Sequence, residues 1–126
     1  MAYVEYNPHP EGKRIDDCTI RALTKVLDKS WEELHVALAV QSFAIHRMQD
    51  SKDTWGTYLF NQGFVQEVVP NTCPDCYTIE QFCEDYPHGT YVLATNNHVV
   101  AVVDGNYYDT WDSGDETPIY VWRKEE

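Results

Sequence analysis

Positive charge is what this chain has least of. Nine Lys and Arg stand against 21 Asp and Glu, a formal net charge of -12. Such a surface repels phosphate backbones, which argues against nucleic acid as a partner and leaves cationic or neutral partners free to approach. Long apolar runs are missing too. No stretch approaches the length that spans a bilayer, so no membrane partner is expected. Met1-Ala2-Tyr3-Val4-Glu5 lacks the basic region and following apolar run of a signal peptide, and the expectation is a cytoplasmic protein. In that compartment the four cysteines are expected to be reduced rather than bridged. Repeats, low-complexity tracts and linkers are also missing, so residues 1–126 read as one domain.

What is present is enough to fold. Apolar residues make up 43% and aromatic residues 13% of 126 positions, which supports a core without staples. Residues 1–16 are turn-rich around Asn7-Pro8-His9-Pro10-Glu11-Gly12 and read as irregular. Asp17 is then a good N-cap, and Ile20, Leu23, Val26 and Leu27 carry the spacing of a buried helical stripe. Ser30-Trp31-Glu32-Glu33 is a capping box opening a second helix. Its apolar face includes Leu34, Leu38, Phe43 and Ile45, and the run Ala37-Leu38-Ala39-Val40 predicts burial nearly all round. A third helix is predicted over 52–62, with Trp55, Tyr58 and Leu59 inward and Gly63 as its stop.

Phe64 to Val69 reads as a strand ended by Pro70, and Thr78-Ile79-Glu80-Gln81 as a second capping box before a short helix. Thr90–Ala94 and His98–Val103 are apolar on both faces and predict central strands. Asp104-Gly105 is a hairpin signal returning Asn106 to Trp111 as the partner strand, and Ile119–Trp122 is expected to form an edge strand. Helices first and an antiparallel sheet after make the expected class α+β.

Cys18 would sit in the first turn of its helix, where the dipole and unpaired N–H groups favour a thiolate and could hold an oxyanion. The acidic pair Asp16-Asp17 opposes a further negative charge there. The simpler alternative is a buried cysteine acting as a small hydrophobe. If Asp104-Gly105 forms a two-residue turn, His98 and Asp109 become diagonal neighbours on one face, and Asp109 can fix the imidazole. A three-residue turn would put Asp112 opposite His98, making Asp112 the reserve orienter. The plain alternative is a hydrogen-bonded core histidine and a turn acid.

The pattern Asp17-Cys18-x-x-Arg21-Ala22-Leu23, then Gly89-Thr90-Tyr91-Val92-Leu93, His98 to Gly105 and Tyr108-Asp109-Thr110-Trp111-Asp112 resembles small papain-like cysteine peptidases. It is most similar to the compact members found in bacteria and their phages. The resemblance covers both ends of the chain, and residues 30–75 carry little of it. It implies a papain-like fold in which Cys18 is the nucleophile, His98 the base and Asp109 its orienter. It also implies hydrolysis of a peptide or related amide bond, with a peptide or protein as substrate and no cofactor. The oxyanion-hole Gln that such enzymes place before the nucleophile has no counterpart here, since Gln first occurs after Cys18. Asn7 is the nearest amide, and Asn7, Asp17 and Trp111 are the further candidates for the oxyanion or binding site. The alternative function is a non-catalytic protein on the same scaffold that captures a small ligand or a host protein.

Cys73-Pro74-Asp75-Cys76 with Cys83 and His88 has zinc-ligand types at C-x2-C-x6-C-x4-H spacing, and the first two cysteines also have the spacing of a redox couple. Inert thiols are the expectation over either. The acids Asp109, Asp112, Asp115 and Glu116 lack the twelve-residue calcium loop and read as a solvated charge run. His9, His35 and His46 are assigned no chemistry. Trp111, Trp122, Tyr107 and Tyr108 are expected in core and sheet-face packing, with one or two lining a cleft near His98.

Overall fold

A computed structural model describes residues 3–70 and 72–125. Its elements are β1 (Tyr3–Glu5), α1 (Cys18–Leu27), α2 (Trp31–Ile45), α3 (Lys52–Asn61), β2 (Phe64–Val68), α4 (Ile79–Asp85), β3 (Thr90–Ala94), β4 (Val99–Val103), β5 (Asn106–Asp109) and β6 (Tyr120–Lys124). The strands form one sheet in the order β1-β5-β4-β3-β6-β2. This is an α+β fold.

Period-two alternation explains why the middle of the sheet is apolar on both faces. Val92, Ala94, Val99, Ala101, Tyr120 and Trp122 face one way, onto a core with Ile20, Leu23, Leu34, Leu38, Trp55 and Leu59 from α1 to α3. Leu93, Val100, Val102, Tyr107 and Val121 face the other way, onto Ile79, Phe82 and Cys83 of α4. Three helices thus cover one side and a single short helix the other. Both capping boxes form: Ser30 with Glu33, and Thr78 with Gln81.

Several expectations need correction. The sheet is mixed rather than antiparallel, because β1 pairs parallel with β5 within the stretch expected to be irregular. Three residues are too few to show a strand period. Tyr120–Lys124 is not an edge strand: β6 lies between β3 and β2, as its two apolar faces require. β2 holds that edge, and Gln66 and Glu67 there are exposed, a polar edge that discourages further pairing. Helix α2 buries only Leu34 and Leu38, while Val36, Val40 and Phe43 are exposed. Apolar composition misled here because α2 leans on α1 and α3 from one side only.

The turn between β4 and β5 sets the site. Asp104 (φ 50) and Gly105 (φ 79) are both left-handed, as a two-residue primed turn demands. Val103 therefore pairs with Asn106, Val102 with Tyr107 and Ala101 with Tyr108. The Asp104 side chain accepts from the Gly89 N–H at 3.0 Å, tying the turn to the start of β3.

Candidate active site

Helix α1 packs on β4, which brings the start of the helix to the start of the strand. Cys18 is half-buried at the first turn of α1, and His98 immediately precedes β4. The tight connection from β3 aims the histidine: the Thr95 N–H and hydroxyl both donate to the His98 carbonyl, at 2.8 and 3.3 Å. Asp109 closes β5, and its Oδ2 lies 2.6 Å from His98 Nε2. On the other side of the ring, Cys18 lies close enough to act on the imidazole and raise its proton affinity. The hairpin register thus brings His98 and Asp109 together as the two-residue turn anticipates, with Cys18 beside them.

Asp109 is completely buried, and its oxygens are fully used. Oδ1 accepts from the Thr110 N–H at 2.8 Å and Arg21 Nη2 at 3.0 Å. Oδ2 accepts from Ser113 Oγ at 2.7 Å as well as from His98. Four donors match the four lone-pair positions of a carboxylate. Burial pushes the Asp109 carboxyl upward, but the hydrogen bonds from His98 and Ser113 outweigh it and hold the group below its usual range. Burial alone would lower His98, yet its hydrogen bond to Asp109 and the neighbouring Cys18 raise it to about 9. At neutral pH the imidazole is therefore charged and held by the Asp109 carboxylate.

Neither Arg21 nor Ser113 has a role assigned from sequence, although Arg21 stands in the Asp17-Cys18-x-x-Arg21 pattern. Arg21 is 4% exposed and bridges two carboxylates, with Nη1 on Asp17 Oδ1 at 2.5 Å and Nη2 on Asp109. A signal for it existed: Arg21 interrupts an apolar helical stripe, and Asp17 stands four positions before it, one turn away. Ser113 carried no comparable signal.

Asp17 takes a different role from the one expected. Its carboxylate makes no capping bond to α1 and instead accepts from Arg21 and from Trp31 Nε1 at 2.8 Å. The first-turn N–H groups of α1 are therefore left uncapped by that side chain, at the base of a cleft of about 570 Å³. Trp31, His35, Gln49, Asn97 and Trp55 are among the residues around this cleft, together with Cys18, Asp17 and His98.

Asn7 does not reach the cleft. Its amide nitrogen donates to the Gly12 and Lys13 carbonyls at 3.1 and 3.2 Å, which commits it to its own loop. The side-chain amides that share the cleft with Cys18 belong to Gln49, Asn96 and Asn97. Trp111 tilts against His98 with ring centroids 5.1 Å apart, outside the cleft lining. Asp112 is not the orienter: it accepts from the Tyr107 hydroxyl and from the Gly114 N–H. The hairpin register excludes it, since only a three-residue turn would bring it opposite His98.

The zinc candidate is not assembled. Cys73 and Cys76 are joined as a disulfide, against the expectation of reduced thiols. Their spacing in an irregular loop brings the Cα atoms within 4.2 Å. Cys83 is buried in the α4 core, where burial pushes its thiol up to about 11, and His88 is exposed. Among the described residues no group of three His, Cys, Asp or Glu side chains is placed to hold a metal ion. No helix among them is long and apolar enough to cross a membrane.

Comparison with known proteins adds no relative: no family model, no curated protein and no solved structure matches the chain. The chemistry of the site therefore rests on its own geometry.

Proposed function

We propose that the protein is a cysteine hydrolase with a papain-like arrangement, cleaving a peptide or related amide bond through Cys18, His98 and Asp109. One observation carries this reading: an imidazole held at 2.6 Å by a buried carboxylate lines the same open cleft as the half-buried cysteine at the start of α1. A core histidine needs no thiol beside it and no cleft in front of it.

The steps follow from these positions. The Cys18 sulfur, as thiolate, attacks the substrate carbonyl carbon, and the carbonyl π pair moves onto oxygen. First-turn N–H groups of α1 stabilise that oxyanion, since they point their partial positive charge along the helix axis. The imidazolium of His98 gives its proton to the leaving amine as the C–N bond breaks, leaving a thioester on Cys18. Neutral His98 then takes a proton from water as it attacks the thioester, and the thiolate departs. Asp109 keeps the ring oriented and stabilises its charged form without itself taking the proton.

The acid directly before Cys18, which opposes a further negative charge there, is offset in the fold: Asp17 is ion-paired with Arg21. The excess of acidic over basic residues, 21 to 9, favours neutral or cationic substrates and disfavours nucleic acid.

Alkylation by iodoacetamide at mildly acid pH tests the reading directly. Cys18 is expected to react at least about tenfold faster than glutathione and to lose that advantage in His98→Ala, because only the thiolate reacts. A rate equal to that of an ordinary thiol would sink the hydrolase and favour a binding protein on the same scaffold.

A further inference from the structure

Arg21 is a costly residue to bury, and its two partners suggest what it does. A guanidinium on Asp109 alone would compete with His98 for the field of that carboxylate, weakening the hold on the imidazole proton. Here the guanidinium has an anion of its own. Asp17 Oδ1 lies 2.5 Å from Nη1, closer than the 3.0 Å from Nη2 to Asp109. Asp17 is fixed in turn by the Trp31 indole at 2.8 Å, so both its oxygens are engaged. Arg21 and Asp17 together carry no net charge, yet the planar fork of Arg21 still grips Asp109 at a set angle.

We propose that Arg21 and Asp17 are paired positioning residues that act through charge alone: Asp17 cancels the Arg21 charge, so that Asp109 remains the counter-ion of the imidazolium. The inference rests on the triad reading but concerns a proton equilibrium that is measurable without turnover. The charged and titratable groups acting on His98 are Asp109 from β5 and Cys18 from α1. Arg21 and Asp17 stand behind Asp109, Asp16 is exposed on the rim of the cleft, and the Trp111 ring against His98 carries no charge.

The test is the titration midpoint of His98, followed by NMR of the histidine rings and assigned by the signal lost in His98→Gln. Asp17→Asn exposes Asp109 to an uncompensated guanidinium, and the midpoint is expected to fall by about one unit, a tenfold weaker hold on the proton. The double variant Asp17→Asn with Arg21→Met removes both charges and is expected to return the midpoint to within about 0.3 unit of the wild-type value. An unmoved midpoint in folded Asp17→Asn overturns the proposal, as does a double variant displaced as far as the single one. Should Asp17→Asn fail to fold, the double variant decides alone: a wild-type midpoint supports the neutral pair, and a fall of a unit overturns it. A purely structural role would cost stability and leave the midpoint in place. A sluggish Cys18 together with the expected midpoint shifts would remove the hydrolase and leave this inference standing.

Discussion

At the scale of single residues, Asp109 is the most constrained group in the molecule, a buried carboxylate with four donors. Asp109→Asn keeps the volume but offers an amide N–H₂ where a donor already stands. Turnover is expected to fall by about 10²- to 10⁴-fold, the range for losing the orienting acid of a triad, while substrate affinity changes little; steady-state kinetics checks this. Because His98 holds its proton to about 9, the imidazolium that the proposed hydrolysis needs as its acid persists through neutral pH. The alkaline limb of kcat/KM is expected to fall with an apparent pKa near 9 and not near the ordinary histidine value. A limb between pH 6 and 7 would contradict the hold of Asp109 on the His98 ring. The pairing of His98 with Asp109 was legible because one hairpin dipeptide fixes the register, and register fixes which side chains meet. Arg21 was hidden because its two partners lie 4 and 88 positions away, and only the nearer could be read from the sequence.

At the scale of elements, capping and alternation were readable and packing context was not. Ser30 and Thr78 announced their helices through local hydrogen bonds that need no tertiary partner. Helix α2 shows the opposite case. Leu38 and Phe43 look alike in sequence, yet Leu38 is 1% and Phe43 81% exposed, since only the fold decides which side meets α1 and α3. Leu38→Ala is expected to cost about 2–5 kcal/mol and Phe43→Ala about 0.5 kcal/mol or less, read from urea unfolding. The strand β1 escaped notice for want of length, and with it the parallel pairing that makes the sheet mixed. The Cys73–Cys76 bridge closes a loop with a sequence separation of 3. Little chain entropy is removed by so small a ring, so reduction is expected to lower stability by at most about 2 kcal/mol. Unfolding midpoints measured with and without reductant check this; a collapse on reduction would refute it.

At the scale of the whole molecule, stability and proton binding are linked through the same histidine. Folding raises His98 from 6.5 to about 9, so the native state binds the proton more tightly than the unfolded chain. That contribution, on the order of 3 kcal/mol, is fully present below about pH 6.5 and is lost as pH climbs through about 9. Asp109 works in the other direction: its depressed carboxyl stabilises the fold above the ordinary carboxylate value, and the benefit disappears as pH falls through its native one. Urea midpoints of the wild type are expected to drop between pH 6 and pH 9.5, and those of His98→Gln to drop much less. Parallel curves would show that the histidine is not coupled to folding. The sequence conveyed the class and the two-faced sheet, because apolar alternation is a property of the whole strand set. It did not convey the ion-pair relay, which exists only once α1 lies across β4 and β5. That relay has a consequence for biosynthesis. Tyr3 already leans on the Asp109 carbonyl across 106 positions, and Arg21 meets the Asp109 side chain across 88. A growing polypeptide therefore carries Cys18 without the His98–Asp109 pair until the β4–β5 hairpin has been made and α1 has settled across it.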